Sequence, residues 1–229
     1  MQAFLSLGIG YLMGSVNSAA LIGRRKQVDL SQTGTGNLGA TNTMVTLGWA
    51  AGVFVMLFDI LKSFLAGKLA QYLFPALRIA GMLACIGAML GHCFPIFLHF
   101  KGGKGLAAFG GLVVYYNWLF VPIILLSALA LMVLLDCGVA FPLLVSVLFP
   151  LLVWLFGGSL AEILTALGAG ILLFVLHWDN LKKAMAGAES MKVRGFLKKR
   201  LFGKKAAGEK KRFFPKIIRK IAIFSFTIG

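Results

Sequence analysis

The sequence predicts an all-α, polytopic membrane protein with about seven short transmembrane helices. Two observations decide this. Of 229 residues, 59% are hydrophobic and only 13% are charged, a balance foreign to water-soluble domains. Several stretches also reach the roughly 20 apolar residues needed to cross a bilayer. Inside lipid every backbone N–H and C=O must find a partner within its own segment, so such spans are helices. A barrel would show short alternating segments, and none is present.

The first segment covers residues 3–23. A secretory signal carries its basic cluster ahead of the apolar part, whereas here Arg24, Arg25 and Lys26 follow it. Positive charge favours the cytoplasmic side, which places the N-terminus outside. Gly8, Gly10, Gly14 and Ser15 are small enough to let helices approach closely. A polar loop follows, and its residues 33–42 hold three glycines, three threonines and two asparagines. Glycine-permitted turns with hydroxyl and amide groups suit a ligand cradle.

The second segment, residues 47–74, contains Asp59 and Lys62 three apart on one helical face, where they can pair. Charges within a span generally face a bundle interior or a functional cavity. The alternative is a pair that only orients two helices. Lys68 and Arg78 lie nearer the interface and can snorkel.

The third segment, residues 79–98, runs into G-H-C-F-P-I-F-L-H-F-K-G-G-K-G at positions 91–105. Pro95 breaks the helix, and Gly102 and Gly103 separate Lys101 from Lys104. Glycine lets backbone N–H groups converge into an anion-binding nest, and lysine adds a point charge for phosphate. A merely positive cytoplasmic turn needs the lysines but not the glycines. The spacing is not that of a Walker motif. His92 is expected as a hydrogen-bonded packing residue rather than a base.

Residues 106–176 are almost wholly apolar, with breaks at 117–122, 136–138 and 156–159. Four helices of roughly 16–18 residues fit, near the lower limit for spanning. Two long helices plus a re-entrant piece are the alternative and give five spans. Then come His177, Trp178, Asp179 and Asn180, with His177 and Asn180 on one helical face at i, i+3.

Charge is concentrated at the C-terminal end. Residues 181–229 hold 15 Lys/Arg against Glu189 and Glu209, which is +13 of the total +16. We expect a membrane domain over 1–195 and a basic cytoplasmic tail over 196–229, attracted to anionic lipids. Within it residues 216–228, basic then apolar, suit a surface-lying helix or an unstructured tail. Nucleic acid is not expected, since neither aromatic interleaving nor a binding motif accompanies the charge. Cys85, Cys93 and Cys137 lack ligand spacing, so no metal and no disulfide framework is expected. No internal repeat marks an inverted-repeat transporter.

Taken together, these motifs resemble the bacterial acyl-phosphate:glycerol-3-phosphate acyltransferases, the PlsY family, over residues 8–192. Gly34-Thr35-Gly36-Asn37-Leu38-Gly39-Ala40-Thr41-Asn42 resembles the family's first motif, and Asp59 with Lys62 its D-x-x-K pattern. Gly91-His92, Phe94-Pro95 and Phe100-Lys101-Gly102-Gly103-Lys104-Gly105 match the second motif almost in full. His177, Asn180, Gly187 and Glu189 match the third. The resemblance implies acyl transfer from acyl phosphate to the sn-1 hydroxyl of glycerol-3-phosphate, giving lysophosphatidic acid for phospholipid synthesis. It implies no cofactor and seven helices in the bacterial cell membrane with a cytoplasmic active site, while the basic tail sets the C-terminus inside. A monomer is expected.

By the same resemblance Lys104, His177 and Asn180 serve the reaction. Thr35, Gly36, Asn37, Thr41, Asn42, Lys101, Gly102 and Gly103 receive substrate phosphate, and Lys62, His92 and Glu189 support them. The chain departs from the family where arginine is usual: Ser31, Val45, Leu176 and Lys183 stand there instead. Arginine's fork grips phosphate as no apolar side chain can. That departure keeps two alternatives open: a paralogue that acts on or senses another phosphorylated lipid precursor, and a small-anion transporter.

Overall fold

The computed structural model describes residues 1–187; Glu189 and the tail domain at 196–229 lie outside the described residues. Those described residues are all helical in their regular structure. The order is α1 (Gln2–Gly14), α2 (Ser18–Arg25), α3 (Ala40–Leu47), α4 (Trp49–Leu73), α5 (Ala80–Cys93), α6 (Leu106–Tyr116), α7 (Phe120–Leu135), α8 (Ala140–Leu155), α9 (Leu160–Leu176) and α10 (Trp178–Met185).

Residues 106–176 form four helices, as the breaks predicted, and not two long ones. Three stretches are long and apolar enough to cross a membrane: Gln2–Arg25, Trp49–Leu73 and Ala80–Leu98. The α9–α10 pair, bent by 50°, makes a fourth if counted as one span. Helix α6 has 11 residues, and α7 and α8 have 16 each. At 1.5 Å per residue, 16 residues reach about 24 Å, short of the roughly 30 Å hydrocarbon core.

The first segment is not one continuous helix. Its chain breaks after Gly14, and Asn17 restarts it by capping α2, its Oδ1 accepting from Ala20 N–H at 2.8 Å. An asparagine cap satisfies one of the orphan donors of a new helix.

Helices α1 and α5 make the closest packing. A Cβ on Gly10 or Gly14 would stand 1.9 or 2.2 Å from the carbonyl oxygens of Ala84 and Ala88. A Cβ on Gly87 or Gly91 would stand 2.2 or 2.1 Å from those of Leu7 and Tyr11. Each helix thus offers two glycines four residues apart to the other's backbone, the arrangement by which small residues let membrane helices touch. Gly8, counted among these small residues from the sequence, has open space where a Cβ would go. Helices α5–α9 enclose the apolar core, with Phe109, Phe120, Phe149, Met89, Leu112 and Leu173 buried. Phe109 and Phe149 meet edge to face at 5.4 Å.

Candidate active site

The site is assembled where α5 ends. Pro95 stops the helix, and a 3-10 turn (Ile96–Leu98) carries the chain to His99 and Phe100. Both take the left-handed conformation, at φ 52° and 60°, which is uncommon for residues with a side chain. This reversal brings Gly102 and Gly103 back onto α5. Gly103 N–H donates to the His92 carbonyl at 3.0 Å. A Cβ on Gly102 would stand 2.1 Å from that same oxygen, and one on Gly103 would stand 2.0 Å from His92 Nε2. Only glycine allows this approach.

Beneath the turn lies a buried polar cluster. Lys62 Nζ sits 2.8 Å from Asp59 Oδ1, 2.9 Å from the Val16 carbonyl and 3.2 Å from His92 Nδ1. The Val16 carbonyl accepts a hydrogen bond from the ammonium, and Asp59 balances its charge as an ion pair. His92 Nδ1 faces the Lys62 ammonium, and its Nε2 side faces Gly103. Asp59 Oδ1 lies 3.4 Å from Nδ1 and completes the group. The pair expected on α4 therefore exists, and it fastens α4 to α5 and to the break after α1. His92 is buried within this cluster.

Lys104, half-buried, hydrogen-bonds through Nζ to Asn180 Oδ1 on α10. Its pKa lies below the lysine value of 10.5, first because burial disfavours the charge and next because Lys183 stands nearby; Asp179 opposes this. His177 is buried at the junction of α9 and α10, with Nδ1 3.0 Å from the Leu173 carbonyl. A carbonyl only accepts, so Nδ1 carries a proton, and in the neutral ring Nε2 keeps its lone pair. Lys101, by contrast, is exposed and lines a cavity of about 670 Å3 with Arg24, Asp29, Ser31 and His99. The two lysines thus serve different surroundings.

The loop at 29–42 is held from within. Asn42, fully buried, accepts from Thr35 N–H at 2.7 Å and donates to the carbonyls of Leu30 at 2.9 Å and Thr33 at 3.1 Å. Asn42 is the clasp of this loop; Thr35, Gly36 and Thr41 are exposed and Asn37 is half-buried. Among the described residues no hydrogen bond or ion pair joins these residues to Lys104 or Asn180. Asn17 was not singled out from the sequence, yet its amide donates to the Leu38 carbonyl at 3.2 Å and ties the loop to the helix break. Its signal was present: an asparagine followed by a helix-forming run is a capping pattern.

The fold thus defines a multi-pass, all-α membrane protein whose lysine- and glycine-bearing turn meets α10 at one end of the bundle. A family model described as glycerol-3-phosphate acyltransferase matches residues 4–187. A glycerol-3-phosphate acyltransferase of Lactiplantibacillus plantarum is 34% identical over 198 residues, covering 83% of this chain and 92% of that one. One from Desulfotalea psychrophila is 36% identical over 185 residues, covering 79% and 93%. The crystal structure of PlsY, an integral membrane glycerol 3-phosphate acyltransferase, in its glycerol 3-phosphate form superposes with a TM-score of 0.78. That match is 27% identical and covers 88% of this chain and all of the other. The lysophosphatidic acid form of PlsY gives 0.76. The chain belongs to the glycerol-3-phosphate acyltransferase family.

Proposed function

We propose that this protein transfers a fatty acyl group from acyl phosphate to the sn-1 hydroxyl of glycerol-3-phosphate, releasing inorganic phosphate and forming lysophosphatidic acid. The observation that carries the reading is the Gly102-Gly103-Lys104 turn, pinned to His92 and joined through Lys104 to Asn180. Both substrates bear phosphate, and a lysine beside a glycine turn is apt chemistry for it.

In this reading Lys104 leaves Asn180 in part to meet substrate phosphate, while Lys101, Thr35, Gly36, Asn37 and Thr41 line the approach. Asn42 and Glu189 hold their loops. The substrate hydroxyl oxygen attacks the acyl carbonyl carbon, the bond from that carbon to the phosphate oxygen breaks, and phosphate departs with the electron pair. The hydroxyl proton passes to His177 Nε2, whose lone pair the Leu173 hydrogen bond leaves available. An acyl phosphate is already activated, so orienting the two substrates supplies much of the rate.

Seven helical segments cross the bacterial plasma membrane in this reading, with the N-terminus outside and Lys104 at the cytoplasmic face. The basic tail meets anionic lipid there, and the monomer is the working unit. Lysophosphatidic acid formation from palmitoyl phosphate and radiolabelled glycerol-3-phosphate tests the reading, with Lys104→Ala as control. Product from wild type alone supports it; none from folded wild type overturns it. The second reading, a paralogue for another phosphorylated lipid precursor, is favoured by Val45, an exposed apolar side chain where the family resemblance sets arginine.

A further inference from the structure

The end of the bundle remote from Lys104 carries a second polar cavity. Arg78 precedes the first turn of α5, whose last turn holds His92. Glu162 stands in the first turn of α9, which ends at His177. The 14 residues of α5 alone separate the two ends by about 20 Å. This second cavity measures about 430 Å3, and Lys68, Gln71, Arg78, Tyr115, Asn117 and Glu162 are among its lining residues.

Gln71 is spent on the Tyr115 hydroxyl and the Leu77 carbonyl, which leaves the cations as the cavity's main donors. Glu162 is committed: Oε2 accepts from Ser159 N–H and Oγ at 2.7 Å each, and Oε1 meets Arg78 Nε at 3.2 Å. Arg78 is thereby held through one nitrogen, and among the described residues its terminal nitrogens form no ion pair. Lys68 forms none either; its ammonium lies 5.6 Å from the Phe64 ring centre and 5.8 Å from that of Tyr115. Asn117 accepts from Leu119 N–H through Oδ1 at 3.0 Å, which leaves its NH2 to donate outward. Two cations against one carboxylate leave the cavity a net positive charge, and a guanidinium fork with an ammonium matches the oxygens of a phosphate.

The surroundings indicate where that phosphate comes from. Trp118, Phe156 and Leu160 stand exposed at this end, at 68%, 65% and 71%. Exposed aromatic residues beside cations are the signature of a membrane interface. We propose that this cavity binds the headgroup phosphate of an anionic phospholipid in the leaflet at that end, with Arg78 and Lys68 on the phosphate oxygens and Tyr115 and Phe120 beneath it. The inference is independent of the acyl-transfer reading, because its residues lie a helix length from Lys104.

The test is native mass spectrometry of the purified full-length protein with phosphatidylglycerol or phosphatidylcholine, for wild type, Lys68→Gln and Lys68→Gln/Arg78→Gln. Lys68→Gln leaves the Arg78–Glu162 pair intact, and its lipid-free thermal midpoint checks the fold. Phosphatidylglycerol retention about tenfold lower in Lys68→Gln, and lower again in the double variant, supports the proposal. Equal retention by wild type and a folded Lys68→Gln overturns it, as does equal retention of the two lipids by wild type. Displacement by inorganic phosphate supports the phosphate chemistry and assigns the source to solution; survival of the lipid complex assigns it to the leaflet. Lys104→Ala is expected to lose acyl transfer and keep the lipid, so the two readings stand or fall separately.

Discussion

Gly103 and His92 are locked together twice: the Gly103 N–H bonds the His92 carbonyl at 3.0 Å, and the Gly103 α-carbon lies against the His92 ring. A methyl group there has no room, since it would stand 2.0 Å from Nε2. Gly103→Ala must therefore lift the turn and move Lys104. A displacement near 1 Å costs on the order of a hundredfold in rate. We expect kcat/KM to fall by about that factor with little change in thermal midpoint. Gly91→Ala, which would press 2.1 Å from the Tyr11 carbonyl between α1 and α5, is expected to do the reverse and cost stability first. Unchanged turnover in folded Gly103→Ala would falsify the positioning role.

Asp59→Ala leaves Lys62 buried without its carboxylate. Breaking one side of a buried ion pair costs about 3–5 kcal/mol, whereas replacing both partners with apolar residues is often neutral. Asp59→Ala should unfold in detergent far below wild type, and Asp59→Ala/Lys62→Met should recover much of the loss. Thermal unfolding of the single and double variants checks this. A double variant no more stable than the single one rules out the uncompensated charge as the cause.

The acid–base behaviour of Lys104 gives a signed expectation. Its pKa is lowered in the fold by burial and then by Lys183, so the charge is complete below that lowered value and lost as pH rises through it. Between the lowered value and 10.5 the unfolded chain binds more protons, so this group makes the fold gain stability as pH rises there. Phosphate affinity moves the other way. KM for glycerol-3-phosphate should climb as pH passes through the lowered pKa, before ordinary lysines titrate. Lys104→Arg stays charged throughout and should lose that limb of the profile. A wild-type KM flat up to pH 10.5 speaks against phosphate contact by Lys104.

Val45 is 70% exposed on α3, so a longer side chain meets no packing there. Val45→Arg supplies a fork where the family resemblance expects one. A charged hydrogen bond to phosphate is worth about 1.5–3 kcal/mol, roughly 10- to 150-fold in affinity. The variant should lower KM for glycerol-3-phosphate by at least tenfold with the fold unchanged. An unaltered KM would mean that α3 does not face the substrate.

The sequence by itself determined the class and the lengthwise plan. Hydrophobic runs and breaks are local properties, so the four helices of residues 106–176 and the turn at Pro95 were legible there. Motif spacing also named Lys104, Asn180, Asp59, Lys62 and His92. The tertiary structure alone decided which groups are spent on holding the fold and which remain available. That Asn42 is a clasp depends on the carbonyls of Leu30 and Thr33 arriving from another part of the chain. That Lys101 and Lys104, three positions apart, serve different surroundings depends on Gly103 between them being bonded to the His92 carbonyl at the end of α5. That Gly10 and Gly14 meet Ala84 and Ala88 follows from the docking of two helices some seventy residues apart in sequence. Pattern records what each residue can do; only the meeting of distant segments fixes which of its groups are already satisfied.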